Sequence, residues 1–564
     1  MIRFLKAWLI AILIVVVNPS LYAQEPPKIE WLKCLGGSGN ENSVHTPESK
    51  SLVHTNDGGY ALVGTTRSVD GDVAGVFSSP GDNIWLVKVD SIGQIQWQKC
   101  LGGIKNNWAA GIIQTTDNGF AICGSVGSND GNVSGFHGGS TFGDDPWIVK
   151  LNSVGTIEWQ KCLGGRADDY ATSIIQTKSG NFLIAGYTES VDEGFLNHAV
   201  GELKGDAYIA KLDLTGNIIW QKCFGGTQYD IANCIIEAES GGYIFTGTTN
   251  SFDGDVQGHH GDSTKIKNDA WVVKLDTNGI LTWQKCLGGT GAETALSMVQ
   301  TCDSGYVVCA GTSSTDGDVS GLHGDTTTGN RKGDLWIIKL NSVGSIDWQK
   351  CIGGSSNEQG NTIILTSDCG FAIAGSTSSN DGDVYGNHGG GDAWLVKINA
   401  SGKLEWQKCI GGTRYDLAYS VVQTSDGGYL LDGRTNSTND GDIIGIHIGG
   451  DSVNRTNDVL LVKLIRASSV SSTTNPFIGP DNFFLIYPNP SYDQVHLQIL
   501  EPQVIQSVRL FDIMGREFAP HFELEGNTAM VNVRSLNQGI YIARVTFSYN
   551  DYIGTFTLPL IIQH

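Results

Sequence analysis

The sequence predicts an all-β fold, a seven-bladed β-propeller followed by a small β-sandwich domain. A Trp-x-Lys-Cys motif recurs seven times, at intervals of 58 to 66 residues. Each repeat contains four short runs rich in apolar, β-branched and aromatic residues, separated by Gly, Asp and Asn. The repeat array also begins and ends with incomplete units that complement each other. The motif starts at Trp31, Trp97, Trp159, Trp220, Trp283, Trp348 and Trp406.

The second repeat illustrates the four predicted strands, at residues 111–115, 120–124, 147–151 and 157–162. Short turns of Asp, Asn and Gly join the first strand to the second and the third to the fourth, as tight hairpins require. Tandem four-stranded antiparallel units of this kind are typical of β-propellers.

The two ends of the array predict how the ring closes. Residues 29–34 form a lone strand, and residues 460–465 end the last repeat without a Trp-x-Lys-Cys strand. We expect the N-terminal strand to complete the seventh blade as its outer strand, so that no sheet edge stays open. The long loops and the links between blades then share one face, where functional residues usually lie.

Composition and charge exclude several classes of protein. Gly accounts for 75 of 564 residues without the period of collagen, and charged residues make up 17 %, too few for a coiled coil. A hydrophobic content of 40 % with 14 Trp can bury a large core, which argues against disorder. The net charge of −22 opposes binding to nucleic acid and suits a surface protein or one that collects divalent cations.

Residues 1–23 have the pattern of a secretory signal peptide. Arg3 and Lys6 precede an apolar run at 9–17, and a small residue, Ala23, ends the segment before Gln24. The run is shorter than the roughly 20 apolar residues that span a membrane, and no later segment of the sequence is long enough either. We therefore expect an exported protein with no transmembrane segment in its mature chain.

The C-terminal part carries a second address signal. A Ser/Thr-rich linker at 467–482 leads to short alternating strands at 483–564, typical of a small β-sandwich. Three motifs there, YPNP at 487–490, FDIMGR at 511–516 and LNQGIY at 536–541, resemble the C-terminal sorting domain of the type IX secretion system. The end of the chain, at 558–564, lacks the basic residues usual in that family. The resemblance implies a Bacteroidetes-type bacterium, a partnership between 483–564 and the secretion machinery, and a surface-attached or released product.

The repeats at 29–466 also resemble β-propeller repeat proteins common on type IX-secreted chains. The resemblance rests on Asp/Asn-Ala-Trp-Leu-Val-Lys-Leu, Ile-x-Trp-Gln-Lys-Cys-Leu-Gly-Gly and Thr-x-Asp-Gly-Gly-Tyr segments. It implies a propeller but no particular activity, because those relatives share none.

The long loops contain an Asp-Gly-Asp/Asn-Val/Ile motif that could bind Ca²⁺. Two carboxylates two residues apart can face one cation, Gly permits the turn, and carbonyls can supply further oxygen ligands. The alternative is a set of turns whose Asp side chains cap backbone N–H groups. The EF-hand pattern fails, because no Glu occupies its twelfth position. The candidate Ca²⁺ ligands are Asp70, Asp72, Asp253, Asp255, Asp316, Asp318, Asp381, Asp383, Asp440 and Asp442.

A His follows the motif at a constant distance, and a further acid precedes the third strand of most repeats. The His are too dispersed, at one per blade, for a Zn²⁺ site. The first repeat departs from the pattern with Phe77, and the third degenerates at 192–194. The His are His137, His260, His323, His388 and His447, and the acids are Asp145, Asp206, Asp269, Asp334, Asp392 and Asp458.

The 12 Cys and the other repeated residues favour structural roles. The seven Cys of the Trp-x-Lys-Cys motifs lie on different outer strands and are interpreted as small buried hydrophobic residues. Cys302 and Cys309 flank one hairpin and could form a disulfide, although neighbouring strands rarely suit one, and Cys369 shows no partner pattern. The Trp and Lys that recur in the third strands, such as Trp336 and Lys339, are expected to pack in the core and to extend along apolar surface.

No sequence motif indicates catalysis, since there is no Gly-x-Ser-x-Gly, His-Glu-x-x-His or phosphate-binding loop. The leading prediction is a non-enzymatic binding module for glycan or protein that uses the long-loop face. One alternative is an enzyme acting on polysaccharide within the channel, and another is a structural or adhesion protein. A blade-specific cluster of acids and aromatics at the channel mouth would favour the enzyme, and none is recognised in the sequence.

Overall fold

A computed structural model describes two compact units, Met1–Ile465 and Arg466–His564. In the first unit it describes residues 26–42, 50–77, 81–138, 143–191, 204–261, 267–324, 332–447 and 456–465. In the second unit it describes the strands between 484 and 562 and a few adjoining residues. The predicted signal peptide and the linker at 467–482 lie outside the described residues. All regular elements of the described part are β-strands, so it contains no helix that could cross a membrane.

The first unit contains seven sheets of at least four strands, one for each predicted blade. The blade strands are as follows in chain order. Blade 1 consists of β2 (Glu41–Asn42), β3 (Leu52–His54), β4 (Tyr60–Thr66), β5 (Asn83–Val89) and β6 (Ile95–Leu101). Blade 2 consists of β7 (Asn107–Gln114), β8 (Phe120–Val126), β9 (Asp145–Leu151) and β10 (Ile157–Cys162). Blade 3 consists of β11 (Asp169–Gln176), β12 (Phe182–Thr188), β13 (Asp206–Leu212) and β14 (Ile218–Phe224).

Blades 4 to 6 have the same four-stranded order. Blade 4 consists of β15 (Asp230–Glu237), β16 (Tyr243–Thr249), β17 (Asp269–Leu275) and β18 (Leu281–Leu287). Blade 5 consists of β19 (Glu293–Gln300), β20 (Tyr306–Thr312), β21 (Asp334–Leu340) and β22 (Ile346–Ile352). Blade 6 consists of β23 (Glu358–Leu365), β24 (Phe371–Thr377), β25 (Asp392–Ile398) and β26 (Leu404–Ile410).

The seventh blade closes the ring in the predicted way. It combines β27 (Asp416–Gln423), β28 (Tyr429–Thr435) and β29 (Asp458–Ile465) with the N-terminal strand β1 (Lys28–Leu35). The sheet order is β1-β29-β28-β27, so the N-terminal strand is the outer strand of the last blade. The fold is therefore the predicted seven-bladed β-propeller, in which the first strands of neighbouring blades lie side by side around the axis.

The cores of blades 1 to 6 are built around an aromatic residue of the third strand, as the sequence predicts, and blade 7 has Leu460 at that position. Trp336 is fully buried, and its indole Nε1 donates a hydrogen bond to Gln349 Oε1 on the outer strand at 2.8 Å. The same bond recurs in four other blades, from Trp85, Trp147, Trp271 and Trp394. The indole N–H, which would be costly to bury without a partner, is thus satisfied inside an otherwise apolar layer.

The repeated Lys of the third strand anchors the hairpin between the first two strands. The side chain of Lys150 is only 5 % exposed, and its Nζ lies 2.8 Å from Asp117 in the Thr-x-Asp turn. Thr115 Oγ1 also donates to Asp117 Oδ1, and the two interactions lower the pKa of Asp117 to about 2. Equivalent Lys–Asp pairs are Lys88–Asp57, Lys339–Asp303, Lys397–Asp368 and Lys463–Asp426.

The cysteine pattern is partly as expected. Six of the seven motif Cys are buried, and Cys223 is half-buried. The structure contains a disulfide between Cys302 and Cys369, with a Cα–Cα distance of 6.1 Å. The view that Cys369 has no partner is therefore wrong. The two Cys lie in the first hairpins of blades 5 and 6, which the ring brings together although 67 residues separate them.

The second unit is a small β-sandwich. Its strands are β30 (Phe484–Tyr487), β31 (Gln494–Ile499), β32 (Val504–Asp512), β33 (Glu517–Phe518), β34 (Phe522–Glu525), β35 (Thr528–Asn532), β36 (Gly539–Tyr549) and β37 (Tyr552–Ile562). They form two four-stranded sheets, β30-β31-β35-β34 and β33-β32-β36-β37. A common core that includes Val495, Leu510, Val531 and Val545 joins the sheets.

Candidate ligand-binding site on the long-loop face

The first Asp of each Asp-Gly-Asp motif ties its long loop to the preceding link between blades. Asp316 Oδ1 accepts a hydrogen bond from the backbone N–H of Thr290 at 2.7 Å, and Oδ2 accepts one from Thr290 Oγ1. Asp381 binds the N–H of Ser355 in the same way. Links and long loops therefore share one face, and these carboxylates act as caps for backbone groups.

The second Asp lies at the junction between two blades. The N–H of Asp318 donates to the carbonyl of Gly288, and its carboxylate faces the N–H of the same Gly at 3.3 Å. The carboxylate also lies 3.4 Å from His260 Nε2 of the preceding blade. Equivalent contacts to the next blade are made by His323 with Asp383, His388 with Asp442 and His447 with Asp72.

The other ring nitrogen of each His binds the acid that precedes the third strand of its own blade. His388 Nδ1 lies 2.7 Å from Asp392 Oδ2, and the backbone N–H of His388 donates to the same oxygen. Burial raises the pKa of Asp392 to about 6, and it does the same for Asp145 and Asp458. Each row of Asp, His and Asp side chains thus connects neighbouring blades. The sequence pattern alone did not reveal this role of the His residues.

The candidate Ca²⁺ ligands do not converge on a metal site in this geometry. The first and second Asp of the motif have different backbone partners, as Asp316 and Asp318 show. Among the described residues, no group of three or more His, Cys, Asp or Glu side chains is arranged to hold a metal ion. Calcium binding by the ten Asp stays a prediction.

A cavity of about 320 Å³ opens on the same face, beside the axis, between blades 2, 3 and 4. It lies at the start of the innermost strands β7 and β11, at the end of β12 and next to the link before β15. Its volume is at the lower end of the range for small-ligand sites. Four aromatic and two acidic side chains line it, namely Trp108, Tyr170, Tyr187, Tyr229, Asp168 and Glu189.

The three tyrosine rings form a continuous wall, and Trp108 also lines the cavity. Tyr170 and Tyr187 stack with ring centroids 6.1 Å apart and an interplanar angle of 16°. Tyr187 and Tyr229 follow at 4.9 Å. The phenol of Tyr187 donates a hydrogen bond to Glu189 Oε1 at 2.5 Å, and the indole Nε1 of Trp108 donates to Asp82 Oδ2 at 3.2 Å. These bonds fix the rings of Tyr187 and Trp108 in place.

The cavity has a negative electrostatic environment. The backbone N–H of Asp144 donates to Asp168 Oδ1 at 3.2 Å, and burial together with the charge of Asp168 raises the pKa of Asp144 to about 6. Burial also raises the pKa of the Tyr170 phenol, and the carboxylates of Asp168, Asp144, Glu189 and Asp169 raise it further. No Lys or Arg is among the residues found to line this cavity.

The floor of the cavity is formed by a β-bulge of the innermost strands. Thr172 is skipped in the pairing of β11 with β12, and its Oγ1 donates to the carbonyl of Ala232 in blade 4 at 2.6 Å. Asn233 and Asn361 make the same connection from blades 4 and 6. These hydrogen bonds join the innermost strands of neighbouring blades below the mouth of the cavity.

Blades 2 to 4 carry this cluster because the repeats diverge there. At the second position of the inner strand the seven blades have Asn42, Trp108, Tyr170, Ile231, Thr294, Gln359 and Leu417. The corresponding space between blades 5 and 6 is a cavity of about 460 Å³ with small and amide side chains, among them Thr294, Ser313, Gln359 and Ser378. The sequence-based view that no blade carries a distinct cluster of acids and aromatics is wrong; a column-by-column alignment of the repeats would have revealed it.

Comparison with known families identifies the second unit. Residues 485–557 match the family of secretion system C-terminal sorting domains. The chain is therefore a β-propeller protein with a type IX sorting domain, which directs it to the cell surface or the medium. The sorting domain implies an interaction with the secretion machinery.

Relatives of the whole chain are distant. The regulatory protein FlaEY of Caulobacter vibrioides is 22 % identical over 413 residues, which are 68 % of this chain and 42 % of that protein. The chain thus spans less than half the length of this relative. Among solved structures, the WD40 domain of Neurospora crassa Pan2 is 9 % identical with a TM-score of 0.39, over 76 % of this chain and 97 % of that one. PorZ of Porphyromonas gingivalis, a surface component of the type IX secretion system, is 10 % identical with a TM-score of 0.35, over 92 % and 60 %.

Proposed function

We propose that the propeller is a non-enzymatic binding module, displayed at the cell surface or released, that binds a glycan in the cavity of blades 2 to 4. The observation that carries the proposal is the wall of Trp108, Tyr170, Tyr187 and Tyr229 beside two carboxylates. Flat aromatic faces contact the C–H groups of sugar rings, and carboxylates accept hydrogen bonds from hydroxyl groups. The repeated Trp of the third strands cannot serve in this way, because they are buried.

The test is a glycan-binding screen with the chain from Gln24 onward, on bacterial, algal and plant glycans. We expect binding that Tyr170→Ala and Tyr229→Ala each weaken by about tenfold or more, since a stacked aromatic contributes on the order of 1–3 kcal/mol. Tyr229 precedes β15 and is 36 % exposed, so its replacement disturbs the core least. Gln359→Ala is the matched control, because Gln359 has the position of Tyr170 in blade 6.

Calcium is tested in the same screen. Binding that a chelator abolishes, and that Asp316→Ala with Asp318→Ala also abolishes, would support the calcium prediction. Binding that is unchanged in chelator would assign recognition to the cavity alone. A screen without any glycan bound would contradict the proposed function and direct attention to protein partners.

A second candidate function is cleavage of the bound polysaccharide. It is favoured by Asp144, whose pKa burial and the charge of Asp168 raise to about 6, and whose backbone N–H donates to the Asp168 carboxylate. A protonated acid beside an ionised carboxylate is the combination that glycoside hydrolysis uses. Incubation of each glycan that binds, followed by product analysis, tests it. Products that disappear with Asp144→Asn, while binding persists, would establish the enzyme; an intact glycan would leave the binding module.

A further inference from the structure

From the cavity of blades 2 to 4 we infer that the bound glycan carries free amino groups, so that the ligand is an amino sugar in its cationic form. The inference deepens the proposed function and rests on it. It goes beyond glycan binding because it specifies the charge of the ligand.

The aromatic wall is suited to a cation as well as to a sugar ring. Ammonium groups are attracted to the faces of Trp and Tyr rings, and this attraction is stronger at sites removed from water. Tyr187 is only 6 % exposed, and Trp108 and Tyr170 are half-buried. Tyr187 stacks on Tyr170 and contacts Tyr229, so an ammonium group beside this wall faces several rings together.

The carboxylates supply the complementary charge. Asp168 and Glu189 line the cavity, and the backbone N–H of Glu189 donates to the carbonyl of Asp168 at 3.0 Å, which keeps the two residues side by side. Burial is the main cause of the raised pKa of the Tyr170 phenol, and the charges of Asp168 and Glu189 raise that pKa further. The same potential favours a bound cation and opposes anionic sugars such as uronic acids.

Two of the nearby basic groups, Arg67 and Lys105, do not cancel this potential. Arg67 forms a two-bond ion pair with Asp82, with distances of 2.5 and 2.9 Å, so its charge is neutralised locally. Lys105 is exposed, and its influence on Asp144 is smaller than that of burial and Asp168. The cavity between blades 5 and 6 has Glu358 in its lining, but that carboxylate is buried and bound to Gly354 and Thr377.

The experiment compares a β-1,4-linked glucosamine hexamer with its fully N-acetylated counterpart by calorimetry at pH 5, where most of the sugar amines are charged. We expect the free-amine hexamer to bind at least about tenfold more tightly, because a hydrogen bond between charged groups is stronger than one between neutral groups. Asp168→Asn and Glu189→Gln should each weaken the free-amine hexamer by about tenfold and the acetylated one by less than about twofold. Higher salt should weaken only the free-amine hexamer.

Glu239→Gln is the matched control, because it removes the same charge from the opposite face, in the first hairpin of blade 4. An equal effect of Glu239→Gln would mean that net charge, and not the cavity, attracts the ligand, and would overturn the inference. Equal or tighter binding of the acetylated hexamer would overturn it too, while leaving the glycan-binding function in place. Displacement of the hexamer by equimolar Nα-acetyl-lysine amide would show that the ammonium group alone is recognised, and would overturn the assignment to an amino sugar. A chain that binds neither hexamer nor any glycan of the screen would remove the proposed function together with this inference.

Discussion

Cys302 and Cys369 join the first hairpins of blades 5 and 6 at a place where other blades use hydrogen bonds. Between blades 1 and 2 the equivalent residues are Asn56 and Asn118, and Asn56 Nδ2 donates to Asn118 Oδ1 at 2.7 Å. The disulfide also occurs where a hydrogen bond found between other blades is missing. Gln423, at the end of β27 in blade 7, accepts a hydrogen bond from the backbone N–H of Ser367 in the first hairpin of blade 6. At that position β23 ends with Leu365, whose side chain cannot accept a hydrogen bond.

Reduction of this disulfide is therefore expected to destabilise the propeller. Cys302→Ser with Cys369→Ser should lower the free energy of unfolding by about 2–4 kcal/mol, since the cross-link closes a loop of 67 residues. Denaturant unfolding with and without reductant measures the effect. In the double Ser variant, reductant should change nothing; a midpoint that still responds to reductant would contradict the assignment.

The contact between His388 and Asp392 should stabilise the folded protein. Blade 1 shows which residues can replace the pair. There Phe77 and Asn83 replace the His and the Asp together, and the N–H of Phe77 donates to Asn83 Oδ1 at 3.1 Å. His388→Phe alone should cost about 1–3 kcal/mol, because it removes a hydrogen bond from the buried carboxylate of Asp392. The double variant with Asp392→Asn should recover part of that loss. Chemical denaturation of the three variants tests this coupling, and a purely additive double variant would refute it.

The buried acids predict a stability that rises as the pH falls from 8 to 5. Asp145, Asp392 and Asp458 have a pKa of about 6 in the folded protein, above the ordinary value of 3.8. Folding therefore takes up protons between about pH 4 and pH 6. The stability that these three acids contribute is fully present below about pH 4 and is lost as the pH rises through 6. The pKa of His260 is also raised, chiefly by its hydrogen bond to Asp269, so its contribution is lost as the pH rises further.

The melting temperature should accordingly be a few degrees higher at pH 5 than at pH 8. The Thr-x-Asp carboxylates do not affect this range, because the pKa of Asp117 is near 2 and it is ionised throughout. Asp392→Asn should flatten the dependence. A melting temperature that increases from pH 5 to pH 8 would contradict the burial of these acids.

Because the first Asp of each long-loop motif caps backbone N–H groups, its removal should destabilise the protein by the same amount with and without calcium. Asp316→Ala removes two hydrogen bonds to Thr290 and should lower the free energy of unfolding by about 1–2 kcal/mol. The loss should be the same in calcium and in chelator. A loss seen only in calcium would instead support a metal ligand. Asp347→Ala on the outer strand β22 is the control, since its carboxylate lies at a longer 3.5 Å from Lys339.

The fold could be predicted because its determinants repeat. Trp336 and its four counterparts make the same buried contact in five of the seven blades, so periodicity alone shows that they are structural. The role of His388 could not be predicted, because its second partner, Asp442, belongs to the next blade and lies 54 positions further along the chain. Repetition also concealed the cavity, since Tyr170 and Tyr187 belong to strands whose other residues follow the common pattern.

The most direct test of the central claim is the affinity of the chain from Gln24 for the best glycan of the screen, compared with that of Tyr170→Ala and Gln359→Ala. The account predicts that Tyr170→Ala weakens binding by about tenfold or more, while Gln359→Ala binds as the unaltered chain does. Equal affinities of all three proteins, each with an intact unfolding transition, would show that the cavity of blades 2 to 4 is not the binding site.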